Sequence, residues 1–314
     1  MILTVTLNPA IDKLYVLDRL CPHEVMRVRE VNNTAGGKGL NVSRVAALAG
    51  EQVMAMGFVG GHTGALFESL IREDGIEKLF THVQSETRCC INVRDTETNQ
   101  STEFLEPGSP VTPEDVEGFL SDFEDRLPGA DAVTISGSMP QGVPPGFYSV
   151  LVRAARSKGI PVLLDSSGDA LKNALSAGPT LIKPNADEIR QLLKADIGSR
   201  QELITAAKRL HRGGVAAVAV SLGKDGVIVV CREGVFHGMT PDIRVVNTVG
   251  CGDSMMAGFA VSMVRRVPME QAVRYAVAVS TANALTKETG FFRQGDLAAL
   301  LEQVSVERLE PPVY

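Results

Sequence analysis

The sequence lacks a basic excess. Lysine and arginine total 31 against 37 aspartates and glutamates, a formal net charge of −6. A nucleic-acid binder normally carries a concentrated basic patch, so that class is set aside. No apolar run approaches the roughly 18 residues that a membrane-crossing helix needs. The five cysteines (Cys21, Cys89, Cys90, Cys231, Cys251) form no CxxC pair and no even framework. Reduced thiols and a cytoplasmic location are therefore expected. The five histidines are scattered without an HExxH, so a zinc centre is not expected. Met1 to Leu7 has no basic leader and no cleavage site, and reads as a strand rather than a signal peptide. Repeats, low-complexity tracts and long linkers are missing too. What remains, 314 residues with 44% apolar and 22% charged content, suits one large α/β domain or one domain with a small appendage.

The most informative stretch runs from Val246 to Gly258. Ile243 to Val246 reads as a strand end, and Met255 to Val264 as an apolar helix. Between them lies Thr248-Val249-Gly250-Cys251-Gly252-Asp253. Glycines at 250 and 252 let the backbone bend and expose successive N–H groups. With the positive end of the helix dipole, those groups make an anion site. Asp253 beside such a site could receive the proton of a hydroxyl that attacks a phosphate held next door. It could equally cap the helix and do nothing else.

The rest of the chain alternates in the βα manner, with two interruptions. Residues 13–34 and 87–106 look like short strands of a small sheet outside the main pattern. Asn8-Pro9-Ala10-Ile11-Asp12 ends the first strand, and Asp12 could accept bonds from sugar hydroxyls or sit in a solvated turn. Gly36-Gly37-Lys38-Gly39-Leu40-Asn41 opens a helix to about Gly50, a second glycine-rich helix N-terminus. It matches neither a Walker A loop nor a dinucleotide fingerprint. Strands are expected at 53–59, 78–84, 131–135, 161–165, 216–220 and 227–231. Helices are expected at 63–74, 113–126, 146–158, 199–211, 268–287 and 294–303. The strand at 131–135 runs into Ser136-Gly137-Ser138-Met139-Pro140. Lys183-Pro184-Asn185-Ala186-Asp187-Glu188 leads another strand into a helix. Asn185 and Glu188 share one helical face, which suits water-mediated Mg²⁺ binding or a capping box. Ser221 to Gly226 could lie against a purine ring or be a plain hairpin turn. These loops gather at the C-terminal edge of a parallel sheet, where such folds bind ligands.

Ala35-Gly36-Gly37-Lys38-Gly39-Leu40-Asn41 and Thr248-Val249-Gly250-Cys251-Gly252-Asp253 resemble the two signatures of the ribokinase/PfkB carbohydrate kinases. Thr6 to Asp12, Ser136 to Pro140 and Ile182 to Asn185 are similar to the phosphosugar branch, which handles fructose 1-phosphate and tagatose 6-phosphate. The resemblance covers residues 2 to about 305. It implies a three-layer α/β/α body with a mostly parallel central sheet, built from 1–10, 35–86 and 108–314. It also implies a β-sheet lid from 11–34 and 87–107, paired between the subunits of a homodimer. Asp253 is then the base, with Gly250, Cys251 and Gly252 offering amides to the transferred phosphoryl. Asp12, Gly37 and Asn41 hold sugar hydroxyls. Lys38, Arg88, Ser138 and Arg27 hold the sugar phosphate. Lys183, Asn185 and Glu188 position ATP and Mg²⁺, and Ser221, Gly223, Gly226 and Asn283 line the nucleotide pocket. Cys251 departs from the family's usual alanine or serine. Fructose 1-phosphate is the expected substrate, with tagatose 6-phosphate as the alternative in the same class. A catalytically silent phosphosugar sensor is the alternative in another class, although it would have no need of Asp253.

Overall fold

The computed structural model describes residues 1–72 and 75–312. In chain order the elements begin with β1 (Ile2–Val5), β2 (Ala10–Leu17), β3 (Glu30–Gly36), α1 (Lys38–Leu48), β4 (Val53–Gly60), α2 (Gly61–Leu70) and β5 (Ile76–Val83). Next come β6 (Cys89–Asp95), β7 (Gln100–Leu105), α3 (Pro113–Arg126), β8 (Ala132–Ser136), α4 (Phe147–Ser157), β9 (Val162–Asp165), α5 (Gly168–Leu175) and β10 (Leu181–Ile182). The chain continues with α6 (Ala186–Leu193), α7 (Arg200–Arg212), β11 (Ala217–Ser221), β12 (Val227–Cys231) and β13 (Gly234–Met239). It closes with α8 (Cys251–Val264), α9 (Met269–Ala284), α10 (Gln294–Gln303) and β14 (Ser305–Glu310).

Ten strands form the central sheet in the order β14-β13-β12-β11-β10-β9-β8-β1-β4-β5. The pairs from β5 to β11 are parallel, and those from β11 to β14 antiparallel. Helices cover both faces, so the strands read as nearly unbroken apolar runs. β1 shows the two-sided burial. Ile2 packs into the cluster that includes α1, α8 and α9 residues, while Leu3 and Val5 pack into the one beneath α3, α4 and α7. Phe58, Phe119 and Phe147 meet in the second cluster, with ring centroids 5.2 and 6.1 Å apart. Strand order reverses at β1, whose neighbours are β4 and β8. The chain thus leaves a crevice beyond the C-terminal ends of β1 and β8.

A second sheet, β3-β2-β6-β7, rests against α1 and α2. It uses the residues that interrupt the βα rhythm.

Local chemistry explains several boundaries. α3 starts where Thr112 and Asp115 form a capping box with Pro113 in the first turn. α7 starts on the same device from Ser199 and Glu202. The expected helix 63–74 ends at Leu70, because Ile71 is extended; Asp74 lies outside the described residues. The expected strand at Ile243–Val246 is corrected. Val246 and Asn247 donate their N–H groups to the Ala284 carbonyl at 2.8 and 3.3 Å, so the end of α9 takes the donors a sheet ladder would need. α5, β13 and β14 have no counterpart among the sequence expectations.

Candidate active site

α8 is apolar on every side and almost wholly buried, and Gly258 is the reason it lies so close to α9. A β-carbon at 258 would come within 2.6 Å of the Ala276 Cα. Buried this way, the helix presents its N-terminus to the crevice. Gly250 is its N-cap, with φ +82°, a left-handed conformation that glycine adopts without strain. A side chain there would also meet Thr289 and the Gly290 N–H at 2.8 and 2.9 Å. The N–H groups of Gly252 and Asp253 have no acceptor among the described residues, as the first turn of a helix permits. Of the three amides expected to serve the anion site, that of Cys251 turns back to Thr248 O at 3.3 Å. The Cys251 thiol lies 3.4 Å from the Asn283 amide, and burial pushes its pKa up.

Asn283, expected along the nucleotide pocket, is wholly buried instead. Its amide donates to Val249 O at 2.9 Å, and its oxygen accepts from the Gly290 and Phe291 N–H groups at 2.9 and 3.2 Å. It ties the loop before α8 to the loop after α9. Its type and spacing gave no hint of this internal task.

Asp253 sits in the first turn of α8 and is 7% exposed. Asn41 Nδ2 donates to its Oδ2 at 2.8 Å. Burial is the main cause that raises its pKa to about 6, and the nearby Asp165 adds to it. The Asn41 bond, Lys38 and Lys183 oppose that rise. Asp12, on β2, is also pushed to about 6, again chiefly by burial; Arg44 and Arg88 oppose the shift and Asp253 adds to it. The Asp12 carboxylate lies over Gly36, where a β-carbon would fall 2.0 Å from Oδ2. Only glycine leaves that space.

Asp165, at the C-terminal end of β9, was outside the sequence expectations. It is 2% exposed and stands between two lysines, 3.7 Å from Lys38 Nζ and 3.3 Å from Lys183 Nζ. Its carboxylate is the leading cause that raises the Lys38 pKa. Lys183 is buried and approaches the start of α8: a β-carbon on Gly252 would lie 3.3 Å from its Nζ. Lys38 is 45% exposed and open to a ligand. An acid at a strand's C-terminal end was the available signal for Asp165.

Arg88 donates to Asn8 O at 2.9 Å and Glu106 O at 2.8 Å, both backbone carbonyls. Asn8 Nδ2 in turn donates to Ser138 Oγ at 3.1 Å, so Arg88 and Ser138 meet around the loop after β1. Gly37 caps α1 with φ +105°, and a side chain there would meet Thr6 at 2.9 Å. Arg27 lies on the exposed stretch between β2 and β3, and no hydrogen bond or ion pair among the described residues joins it to the others.

Asn185 and Glu188 form a reciprocal capping box, each side chain accepting from the other's N–H at 2.8 Å. That box uses Glu188 Oε2, and among the described residues Oε1 has no hydrogen-bond partner. Asn185 bridges to Ser221, and the Ser221 N–H donates to Pro184 O at 3.0 Å, so the two strand-end loops lie side by side. Residues 221–226 make the hairpin turn from β11 to β12, with Gly223 at φ +62° and Gly226 at φ +86°. No group of three or more His, Cys, Asp or Glu side chains among the described residues could hold a metal.

A helix start with two N–H groups that have no acceptor among the described residues, an acid beside it and lysines opposite it lie near the reversal point of a parallel sheet. The architecture is the ribokinase-like fold of small-molecule kinases. The chain belongs to the pfkB family of carbohydrate kinases, whose family model matches residues 5–294. It is similar to phosphofructokinase-2 from Escherichia coli in complex with potassium, with 28% identity and a TM-score of 0.90 over 96% of this chain and 98% of that one. The same enzyme in complex with fructose-6-phosphate gives 26% identity and a TM-score of 0.88 over 96% and 98%. A Thermotoga maritima protein described as a possible 1-phosphofructokinase gives 28% identity and a TM-score of 0.89 over 98% and 99%. Membership makes the chain a sugar kinase, with ATP and a sugar as the substrates that follow from it. No helix among the described residues is long and apolar enough to cross a membrane.

Proposed function

We propose that the chain transfers the γ-phosphoryl of ATP to a ketohexose phosphate, with fructose 1-phosphate as the preferred acceptor and fructose 1,6-bisphosphate as the product. The observation that carries this is Asp253, held by Asn41 at the start of α8, one residue from the Gly252 backbone and across from Lys183. Phosphoryl transfer has a loose transition state, so catalysis is mainly alignment and charge neutralisation. The acceptor hydroxyl gives its proton to Asp253 as its oxygen closes on phosphorus. The N–H groups of Gly252 and Asp253, and the Lys183 ammonium, meet the charge on the transferred oxygens.

Lys38, Arg88 and Ser138 are assigned to the sugar phosphate, with Arg27 reaching it if the small sheet closes as a lid. Asp12, Gly37 and Asn41 are assigned to the ring hydroxyls. Ser221, Gly223 and Gly226 are assigned to the nucleotide. Mg²⁺ keeps most of its water and needs few protein ligands, and the uncommitted Glu188 Oε1 beside Asn185 fits such an outer-sphere role. When bound, the ion would offset charge on the ATP phosphates. Pairing of two chains through the small sheet belongs to the same proposal, since Val31, Phe104 and Leu105 on it are 52%, 56% and 66% exposed.

The similarity to phosphofructokinase-2 with fructose-6-phosphate favours a second reading, in which the 6-phosphate is the acceptor. A coupled ADP assay with MgATP and fructose 1-phosphate, fructose 6-phosphate or tagatose 6-phosphate separates them. The expected result is the highest kcat/KM with fructose 1-phosphate. A higher value with either 6-phosphate would replace it, and no ADP with any of them would favour the silent sensor.

A further inference from the structure

Arg44 takes no part in the phosphotransfer just outlined, yet it lies inside the same cluster and is only 8% exposed. A buried guanidinium is costly unless its donors are matched. The α1 helix places Asn41 and Arg44 three residues apart on one face. Arg44 Nη1 donates to Asn41 Oδ1 at 3.0 Å, and Nη2 donates to the Ala35 carbonyl at the end of β3. Its charge also opposes the effect of burial on Asp12.

Arginine has donors only. The Asn41 atom that faces it must therefore be the carbonyl oxygen, and the NH₂ must face the other way. That other way is Asp253 Oδ2, 2.8 Å off. Without a donor at Oδ1 the amide could turn over and set its oxygen to accept from a protonated Asp253 carboxyl. With Arg44 in place, turning over would set the Asn41 NH₂ against the Arg44 Nη1 donor and lose that hydrogen bond. Among the described residues Asp253 Oδ1 receives no hydrogen bond, which leaves it for the acceptor hydroxyl.

We propose that Arg44 is a positioning residue: it fixes the flip of the Asn41 amide and so holds Asp253 as an ionised acceptor with Oδ1 available to the substrate. The role of Oδ1 rests on the phosphotransfer reading; the amide–carboxylate alignment does not. Ala35 ties the same guanidinium to the strand that leads from the small sheet into α1, so the alignment is coupled to where that strand ends. The other charges facing Asp253 come from separate elements. Asp165 on β9 and Asp12 on β2 disfavour its ionised form, while Lys38 on α1 and Lys183 after β10 favour it. Arg44 acts through the amide, and its removal should be felt on top of those four.

The test uses the full chain with Arg44→Met and Arg44→Lys. The Asp253 carboxyl carbon is titrated by NMR and assigned by its loss in Asp253→Asn. In parallel, kcat and both KM values are followed from pH 5 to 9. Arg44→Met is expected to raise the Asp253 midpoint by about one unit. The acid limb of kcat should move with it, kcat at neutral pH should fall about tenfold, and the ATP KM should stay within about twofold. Arg44→Lys should shift the midpoint in the same direction by less, because one ammonium cannot reach both Ala35 O and Asn41 as a fork does. A midpoint unchanged within about 0.2 units in either folded variant overturns the proposal. If Arg44→Met does not fold, Arg44→Lys decides it. If the unmodified chain phosphorylates no ketose phosphate, the functional reading fails alone, since the NMR titration still judges Arg44.

Discussion

The central sheet and the small sheet supply the same crevice under opposite physical conditions. All eight residues of β4 are buried, whereas the β7 pattern has five of six exposed. The body holds Asp253, Asp165 and Lys183 where water is excluded, and there their charges act strongly on one another. The small sheet brings Asp12 on β2, whose middle residues are only partly buried, and the cation Arg88 just before β6, whose burial is intermittent. The lesson is a division of labour. Parts that must not move are packed on both faces, and parts that must admit a substrate are packed on one.

The sharpest break in that comparison is at Asp253. Asp253→Asn keeps the shape and the Asn41 bond but removes the base, and kcat should fall about 10³-fold with ATP affinity retained, measured by steady-state assay and calorimetry. Turnover within tenfold of the unmodified chain would take Asp253 out of that role.

Next in size is a paired stability test. Phe119→Ala, in the aromatic cluster of the body, should cost about 3–5 kcal/mol in urea unfolding. Phe104→Ala, 56% exposed on the small sheet, should change stability by less than about 0.5 kcal/mol at low protein concentration. A similar cost at both sites would erase the contrast.

Lys38→Ala and Arg88→Ala carry a smaller effect. Each should raise the phosphosugar KM about 10-fold or more, the value of a lost charged hydrogen bond, with little change in the ATP KM. Equal changes in both constants would move the sugar phosphate elsewhere.

The smallest effect concerns pH. The folded pKa of Asp253, about 6, lies above its ordinary 3.8. The folded chain therefore holds that proton more tightly than the unfolded one. The resulting stability is complete below the ordinary value and is lost as pH rises through about 6. Asp253→Asn cannot ionise, so it should be more stable than the unmodified chain by about 1–3 kcal/mol at pH 8. The gain should be smaller at pH 5, as chemical denaturation at the two pH values would reveal. Turnover should run the other way, falling as pH drops below about 6.

Much of this layout could be read from residue patterns, and the exceptions have causes. The helices at 113–126 and 294–303 match their expected bounds, the first because Thr112, Pro113 and Asp115 mark its start in plain chemistry. β14 escaped because its exposed, charged residues show no alternation, and it is ordered by pairing with β13 rather than by its own propensity. The false strand at Ile243–Val246 had the right composition but a rival partner, the Ala284 carbonyl. In the site, the glycines and Asp253 were visible because their spacing is local. Asp165 and Arg44 were not, since their work depends on Lys183, Asn41 and Ala35, which the fold brings together and the linear order does not. Asn283 shows the same limit from the other side. A polar residue near a ligand loop can serve the loop's backbone alone.

The placement of β1 has a bearing on how the chain is made. Ile2 pairs with Val53 on one side and with Ala132 on the other. During synthesis, this interior strand of the sheet would leave the ribosome long before either neighbour. It would stay unpartnered until β4 emerged and half-partnered until β8 did. The β11–β12–β13 meander could zip as soon as it appeared. A nascent chain halted before β8 should therefore present β1 to chaperones with one edge open, and one halted just after β8 should not.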